Sequence, residues 1–302
     1  MDALAPPATP PSPPAPPPAP APSFRRLGPV VPRSPLVVSV PHAGRDYPPE
    51  MQALLTVPLA RLAPLEDRFV DAVAMGALGA EVMILANRPR GWIDLNRSPV
   101  RDRDPQVDAG VDGRSFSAMA SDKVRSGIGL VPRRAGGADN MWRRKLTAAE
   151  VAERIERDHA PYHAALATAL AAAHARFGVA LLLDLHSMPP LPGATPARLV
   201  LGDRYGHSCA ARFTDLAAQV LRDSGLPLAV NHPYAGGHIL NSQARPRAGI
   251  HGLQVEIDRS LYLDDALDRP GPGLEATVWR VRRLLDALTD ATLGDMRRIA
   301  AE

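Results

Sequence analysis

The chain alternates short apolar runs with longer stretches in which apolar residues recur every three or four positions. "PLVVSVPHAG" (35–44) predicts a strand stopped by Pro41, and "GVALLLDLHS" and "IHGLQVEIDRS" predict two more. "EVMILANRPRGWIDLNRSP" predicts two short strands around a Pro/Gly turn. Helical periodicity covers about 64 to 79, 147 to 177, 207 to 224 and 273 to 299. In the last of these Val278, Val281, Leu284, Leu285 and Leu288 share one stripe, and "TAAE" at 147–150 has the Thr and Glu of a capping box. Strands alternating with helices describe an α/β fold, expected here as a single domain with a mixed, mostly parallel sheet flanked by helices.

The start of the chain departs from this pattern. Its first 22 residues hold 11 of the 33 prolines, so they predict an extended tail and not a packed layer. We place a Pro/Ala-rich disordered tail at 1–28 and the folded domain at 29–302. The tail lacks the basic start and apolar centre of a signal peptide, and no window approaches about 18 uninterrupted apolar residues. No membrane association is therefore expected. A lone cysteine, Cys209, excludes an internal disulfide and suits a reducing cytoplasm. With 35 basic against 32 acidic residues the formal charge is only +3, and no basic run is interleaved with aromatics. Nucleic acid is not an expected partner, whereas the arginine excess suits a small anionic substrate. Oligomeric state leaves no mark on the sequence.

"LLLDLHSMPP" (181–190) ends an apolar strand on Asp184 and His186. Such groups are costly to bury unless they are paired, hydrogen-bonded or bound to a metal. Four predicted strands end in this way, on His42, on Asn96 with Arg97, on His186 and on Glu256. Ligands of open α/β sheets bind beyond the carboxyl ends of the strands, so these groups are expected to converge. Zinc hydrolases commonly use two histidines and one carboxylate, leaving a position for water. His42 and His186 are the candidate histidines; Asp67 in "PLEDRFVDA" is the candidate carboxylate, with Glu66 beside it as the alternative. Asp184 shares a strand face with His186 and would orient its imidazole.

Other groups have plainer readings. His159 and His163 have the i, i+4 spacing of a helical metal site, but Pro161 lies between them and His159 falls in the stripe of Val151, Ile155 and Tyr162. A structural role is the better reading. Cys209, beside His207, reads as a small buried hydrophobe and not a nucleophile. The glycines of "YAGGHILN" suit a loop that approaches substrate, where His238 would either bind the substrate or cap the loop.

At this level the sequence resembles the N-formylglutamate amidohydrolases, through "LVVSVPHAG", "DRFVD", "WIDLNRSP", "GLVP", "PYH", "LLLDLHS", "GHSCA", "GGHILN" and "HGLQVEIDRSLY", over about residues 35 to 265. The resemblance implies a zinc-carboxypeptidase-like fold and one Zn²⁺ per chain at His42, Asp67 and His186. It also implies that Arg97, with Asn96 beside it, binds a substrate carboxylate, and that Glu256 is the general base. The implied reaction is hydrolysis of N-formyl-L-glutamate to formate and L-glutamate. Two features depart from the pattern. The helical H-x-x-E of carboxypeptidases is absent, and "VPRRAGGADNMW" differs from the usual family segment, which leaves the acyl amino acid open. A deacylase of another N-acyl amino acid or small peptide is the nearest alternative. A non-enzymatic protein that docks through its polyproline tail is the alternative from another class.

Overall fold

Seven strands form one mixed sheet in the order β1-β3-β2-β4-β7-β5-β6. They are β1 (Phe24–Leu27), β2 (Leu36–Val40), β3 (Val82–Ala86), β4 (Ala180–Met188), β5 (Leu199–Gly202), β6 (Leu228–Val230) and β7 (Ile250–Asp258). The computed structural model describes residues 22–113, 121–135, 137 and 140–299. β3, β2, β4 and β7 run parallel, so their carboxyl ends share one edge of the sheet. β1 and β5 pair antiparallel to β3 and β7. Every residue of β2, β3 and β4 is buried, as expected of central strands covered on both faces.

The period-2 alternation divides the core in two. Val38, Val40, Leu181, Leu183, Leu185, Val255 and Ile257 face one layer of helices, α2 (Val70–Ala77), α6 (Ala211–Arg222) and α8 (Leu274–Ile299). Val37, Leu182 and Ile84 face α5 (Ala160–Phe177), through Tyr162, Leu166 and Leu170, and the Trp92 and Trp142 segments. The α8 stripe packs as expected: Val281, Leu284, Leu285 and Leu288 are buried and Val278 is partly buried. Smaller helices are α1 (Pro49–Leu54), α3 (Asp122–Arg125), α4 (Ala148–Arg154) and α7 (His238–Gln243).

The long expected helix 147–177 forms as α4 and α5 joined by a π turn over Ile155–His159. Its capping box is complete, with Thr147 Oγ1 accepting from Glu150 N and Thr147 N donating to Glu150 Oε2. Pro161 has no N–H for the Arg157 carbonyl, which accepts from Ser23 Oγ instead at 3.3 Å. Three expectations need correction. The helix over 64–79 divides into a 3₁₀ segment, Leu59–Leu65, containing Pro64, and α2, with Phe69 between them in a left-handed conformation. Trp92–Leu95 is a chain of turns and not a strand, because the Asp94 carboxylate accepts from Asn96 N at 2.8 Å and folds the backbone back. The tail expected to reach residue 28 contains β1, where half-buried Phe24 and Leu27 flank exposed Arg25 and Arg26. Residues 1–21 lie outside the described residues. Among the described residues no helix is long and apolar enough to cross a membrane.

Candidate active site

Pro41 ends β2 and delivers His42 to the carboxyl edge of the sheet. Next to β2, β4 presents His186, and the β4–β7 register sets Glu256 directly beside it. Asp67 occupies the gap between the 3₁₀ segment and α2, where its N–H donates to the His42 carbonyl at 3.0 Å. The divided helix thus brings a carboxylate against a strand-end histidine. All four side chains are buried.

Their contacts follow one plan. His42 Nδ1 lies 3.5 Å and His186 Nδ1 3.1 Å from the same oxygen, Asp67 Oδ2. The far nitrogens point away: His42 Nε2 donates to Asp94 Oδ1 at 2.7 Å and His186 Nε2 to Asp184 Oδ2 at 2.9 Å. One ligand atom each from His42, Asp67 and His186 lies within 4.8 Å of the others. With Nε2–H committed to a buried carboxylate, Nδ1 is the nitrogen that would give up its proton to a metal, which is how metal-binding histidines are usually held. Two imidazole nitrogens and a carboxylate oxygen are a donor set suited to zinc. One oxygen of Asp184 has no partner among the described residues, so the carboxylate is not shared away from His186.

Electrostatics point the same way. Burial disfavours ionised Asp67, yet the hydrogen bonds from His186 and His42 hold its carboxyl well below the usual range. Asp94 is likewise opposed by burial but held low by Arg90, Arg97 and His42. Burial would make His186 a weaker base, and Asp184 and Asp67 outweigh it, holding its imidazole well above the ordinary value. Burial pushes Glu256 up to about 8. A buried site with this surplus of carboxylates is one that favours a cation.

A cavity of about 210 Å³ opens over these groups, lined by His42, Asp67, His186 and Glu256 together with Asn96 and Arg97. Asn96 is clamped by Ile239 N, which donates to its Oδ1 at 2.8 Å, and its Nδ2 lies 3.4 Å from His186 Nε2. Gly237 permits this approach, since a Cβ there would overlap the Asn96 amide. Arg97 Nε donates to Ile128 O at 3.0 Å and Nη1 to Asn96 O at 2.9 Å, and Nη2 is 3.7 Å from Asp94 Oδ2.

Most of the sequence candidates therefore meet. Glu66 does not; its carboxylate takes bonds from Tyr47 and from Arg68 Nη1. His238 does not line the cavity, and its ring turns towards His163 at 5.1 Å between centroids. One nitrogen each of His159, His163 and His238 lies within 4.8 Å of the others. His159 and His163 are stacked at 4.4 Å and 22°, however, which sends their in-plane lone pairs along separate planes and not to one point. They act as struts: His159 Nε2 donates to Arg97 O at 2.9 Å and His163 Nε2 to Leu95 O at 2.8 Å, fixing the turn that carries Asn96. Cys209 is buried, and burial raises its thiol to about 12. Sequence reasoning missed Asp94, the partner of His42, although it stands two residues before Asn96. The pairing of Arg259 with Asp67, at 3.2 Å from Nη2 to Oδ1, was not foreseen either.

Comparison with known proteins identifies the family. The profile of the N-formylglutamate amidohydrolase family matches residues 34–263. The chain is 31% identical over 268 residues to an N-formylglutamate deformylase of Pseudomonas aeruginosa, covering 85% of this chain and 93% of that protein. A second N-formylglutamate deformylase, from Pseudomonas putida, is 29% identical over 77% of this chain and 83% of its own. The crystal structure of N-formylglutamate amidohydrolase from Ralstonia eutropha JMP134 is 33% identical and superposes with a TM-score of 0.77 over 92% of this chain and 99% of that one. A gene product of Agrobacterium tumefaciens, 16% identical with a TM-score of 0.62, shares the fold over 90% of this chain and 96% of its own. By its family profile and by these relatives, the chain belongs to the N-formylglutamate amidohydrolase family.

Proposed function

We propose that this protein hydrolyses the formyl amide of N-formyl-L-glutamate to formate and L-glutamate, with one Zn²⁺ per chain held by His42 Nδ1, Asp67 Oδ2 and His186 Nδ1. The observation that carries the reading is the convergence of two imidazole nitrogens on one Asp67 oxygen while each far nitrogen is tied to a buried aspartate. The names of the two Pseudomonas relatives support the substrate. When bound, zinc supplies Lewis acidity to the amide carbonyl and lowers the pKa of water. Glu256, on the cavity wall beside His186, takes the proton of the attacking water and returns it to the leaving amine nitrogen. The burial that raises its pKa makes it a stronger base than an exposed carboxylate. Arg97, which lines the cavity beside Asn96, anchors a substrate carboxylate.

The test is metal content together with formate release. Purified protein should carry about one zinc per chain and release formate from N-formyl-L-glutamate, and His186→Ala should lose the metal while keeping its circular dichroism. A His42→Ala, His186→Ala double variant with full metal occupancy would overturn the site.

A further inference from the structure

Four cationic side chains line the cavity: Arg90, Arg97, Lys123 and Arg259. Three of them are held by aspartates that are part of the site. Arg90 Nε donates to Asp94 Oδ2 at 2.8 Å, Arg259 Nη2 reaches Asp67 Oδ1 at 3.2 Å, and Arg97 Nη2 lies 3.7 Å from Asp94 Oδ2. Lys123 is different. Among the described residues its ammonium has no hydrogen bond and no ion pair; partial burial, Arg97 and Arg90 weaken it as a base, against a smaller opposing pull from Asp94 and Glu256. An ammonium on the rim of a cavity that also holds Arg97 and Arg90 adds to a field that attracts an anion.

The position of Lys123 is built into the fold. It lies in α3, whose first turn is capped by Ser121 Oγ accepting from Val124 N. The same hydroxyl donates to Asp102 Oδ1 at 2.8 Å, and Asp102 Oδ2 accepts from Ser98 N at 2.7 Å, next to Arg97. On the other side Ile128 N donates to Lys123 O at 2.9 Å, while Ile128 O takes the bond from Arg97 Nε. Lys123 and Arg97 therefore stand on one frame, which fixes the spacing of their backbones. The side chain is also exposed, so it meets a ligand arriving from solvent.

We infer that Lys123 selects the second carboxylate of the substrate, so that the site requires an N-acyl amino dicarboxylic acid with one carboxylate on Arg97 and the other on Lys123. This deepens the proposed function and rests on its assignment of Arg97 as a carboxylate anchor. It gives the chain its own means of discriminating an acidic side chain from the amide that has the same shape.

The experiment compares wild type, Lys123→Gln and Lys123→Arg on N-formyl-L-glutamate and N-formyl-L-glutamine. It also measures binding of glutarate and butyrate to the same metal-loaded proteins by calorimetry. A charge-assisted contact is worth roughly 10- to 100-fold in affinity. Lys123→Gln should therefore cut the glutamate-over-glutamine ratio of kcat/KM at least tenfold, through KM and not kcat. It should weaken glutarate by a similar factor, and Lys123→Arg should recover most of both. A Lys123→Gln protein that keeps the wild-type ratio and the wild-type glutarate affinity overturns the role of Lys123, even with the deformylase reading intact. If wild type fails to hydrolyse N-formyl-L-glutamate, the deformylase reading falls. The glutarate arm then still decides whether Lys123 recognises a dicarboxylate.

Discussion

Glu256 stands among groups that pull its proton in opposite directions. Burial raises its affinity for the proton, His186 lowers it, and Asp67 raises it again. Among the described residues its one side-chain hydrogen bond comes from Gln254 Nε2, which donates to Oε1 at 3.0 Å, while nearby Arg259 is spent on Asp67 and Ser187. Glu256→Gln keeps the volume and the bond from Gln254 but cannot take a proton. We expect kcat to fall by about 10² to 10⁴, with metal content and melting temperature close to wild type, as single-turnover rates, metal analysis and calorimetry would show. Near-normal kcat would remove Glu256 from the role. At this scale the sequence was legible wherever a polar side chain interrupted or ended an apolar run, as at His42, His186 and Glu256. Asp94 was hidden because its segment carries a strand-like pattern that its own side chain folds into turns. The direction of the His238 ring was hidden too, because it depends on α5, some eighty residues away in sequence.

The helical layer of α2 and α8 is fastened by an ion pair at the mouth of β3. Glu81 is 2% exposed, and its oxygens take bonds from Arg282 Nη2 at 2.7 Å, from Arg282 Nη1 at 3.0 Å and from Gly79 N at 2.7 Å. Burial opposes its ionisation, but the bonds from Arg282 prevail and hold the carboxyl below its ordinary value of 4.5. A carboxyl depressed in the fold stabilises the fold above its unfolded value and loses that contribution as pH falls through the folded one. Stability should therefore decline below about pH 4.5 partly through this group. Glu81→Gln should cost about 1 to 3 kcal/mol at neutral pH and make the decline shallower, measured by urea titrations at several pH values. An unchanged slope with pH would assign the decline to other carboxylates. Most of the elements were legible, because 3.6-residue periodicity survives in α5, α6 and α8. The division around Phe69 was not, since nothing in "LEDRFVDA" marks a left-handed residue between two helical segments. β5 and β6 were also missed, being only four and three residues long.

At the scale of the molecule, β1 closes the open edge of β3, and Phe24 meets Tyr162 edge-on at 5.9 Å. The described contacts begin at Pro22, whose carbonyl accepts from Asn87 Nδ2. Removing residues 1–21 should leave turnover and melting temperature at wild-type values. Removing 1–28 also takes β1, exposes the β3 edge and should lower the melting temperature by several degrees with increased light scattering on heating. Equal melting of the two truncations would mean that β1 contributes nothing. The fold class was legible because strands alternate with helices. The sheet order was not, because pairing β2 with β4 depends on packing across more than a hundred residues. The long β4–β7 ladder has a further consequence. It sets His186 beside Glu256 and Asp184 beside Gln254, so the groups we assign to hydrolysis stand at the centre of the sheet. Arg97 stands in the turns that follow β3 and Lys123 in the short helix α3. If both assignments hold, variants of this scaffold should change substrate through those two segments while keeping the strand-borne groups, because the two sets lie in different parts of the chain.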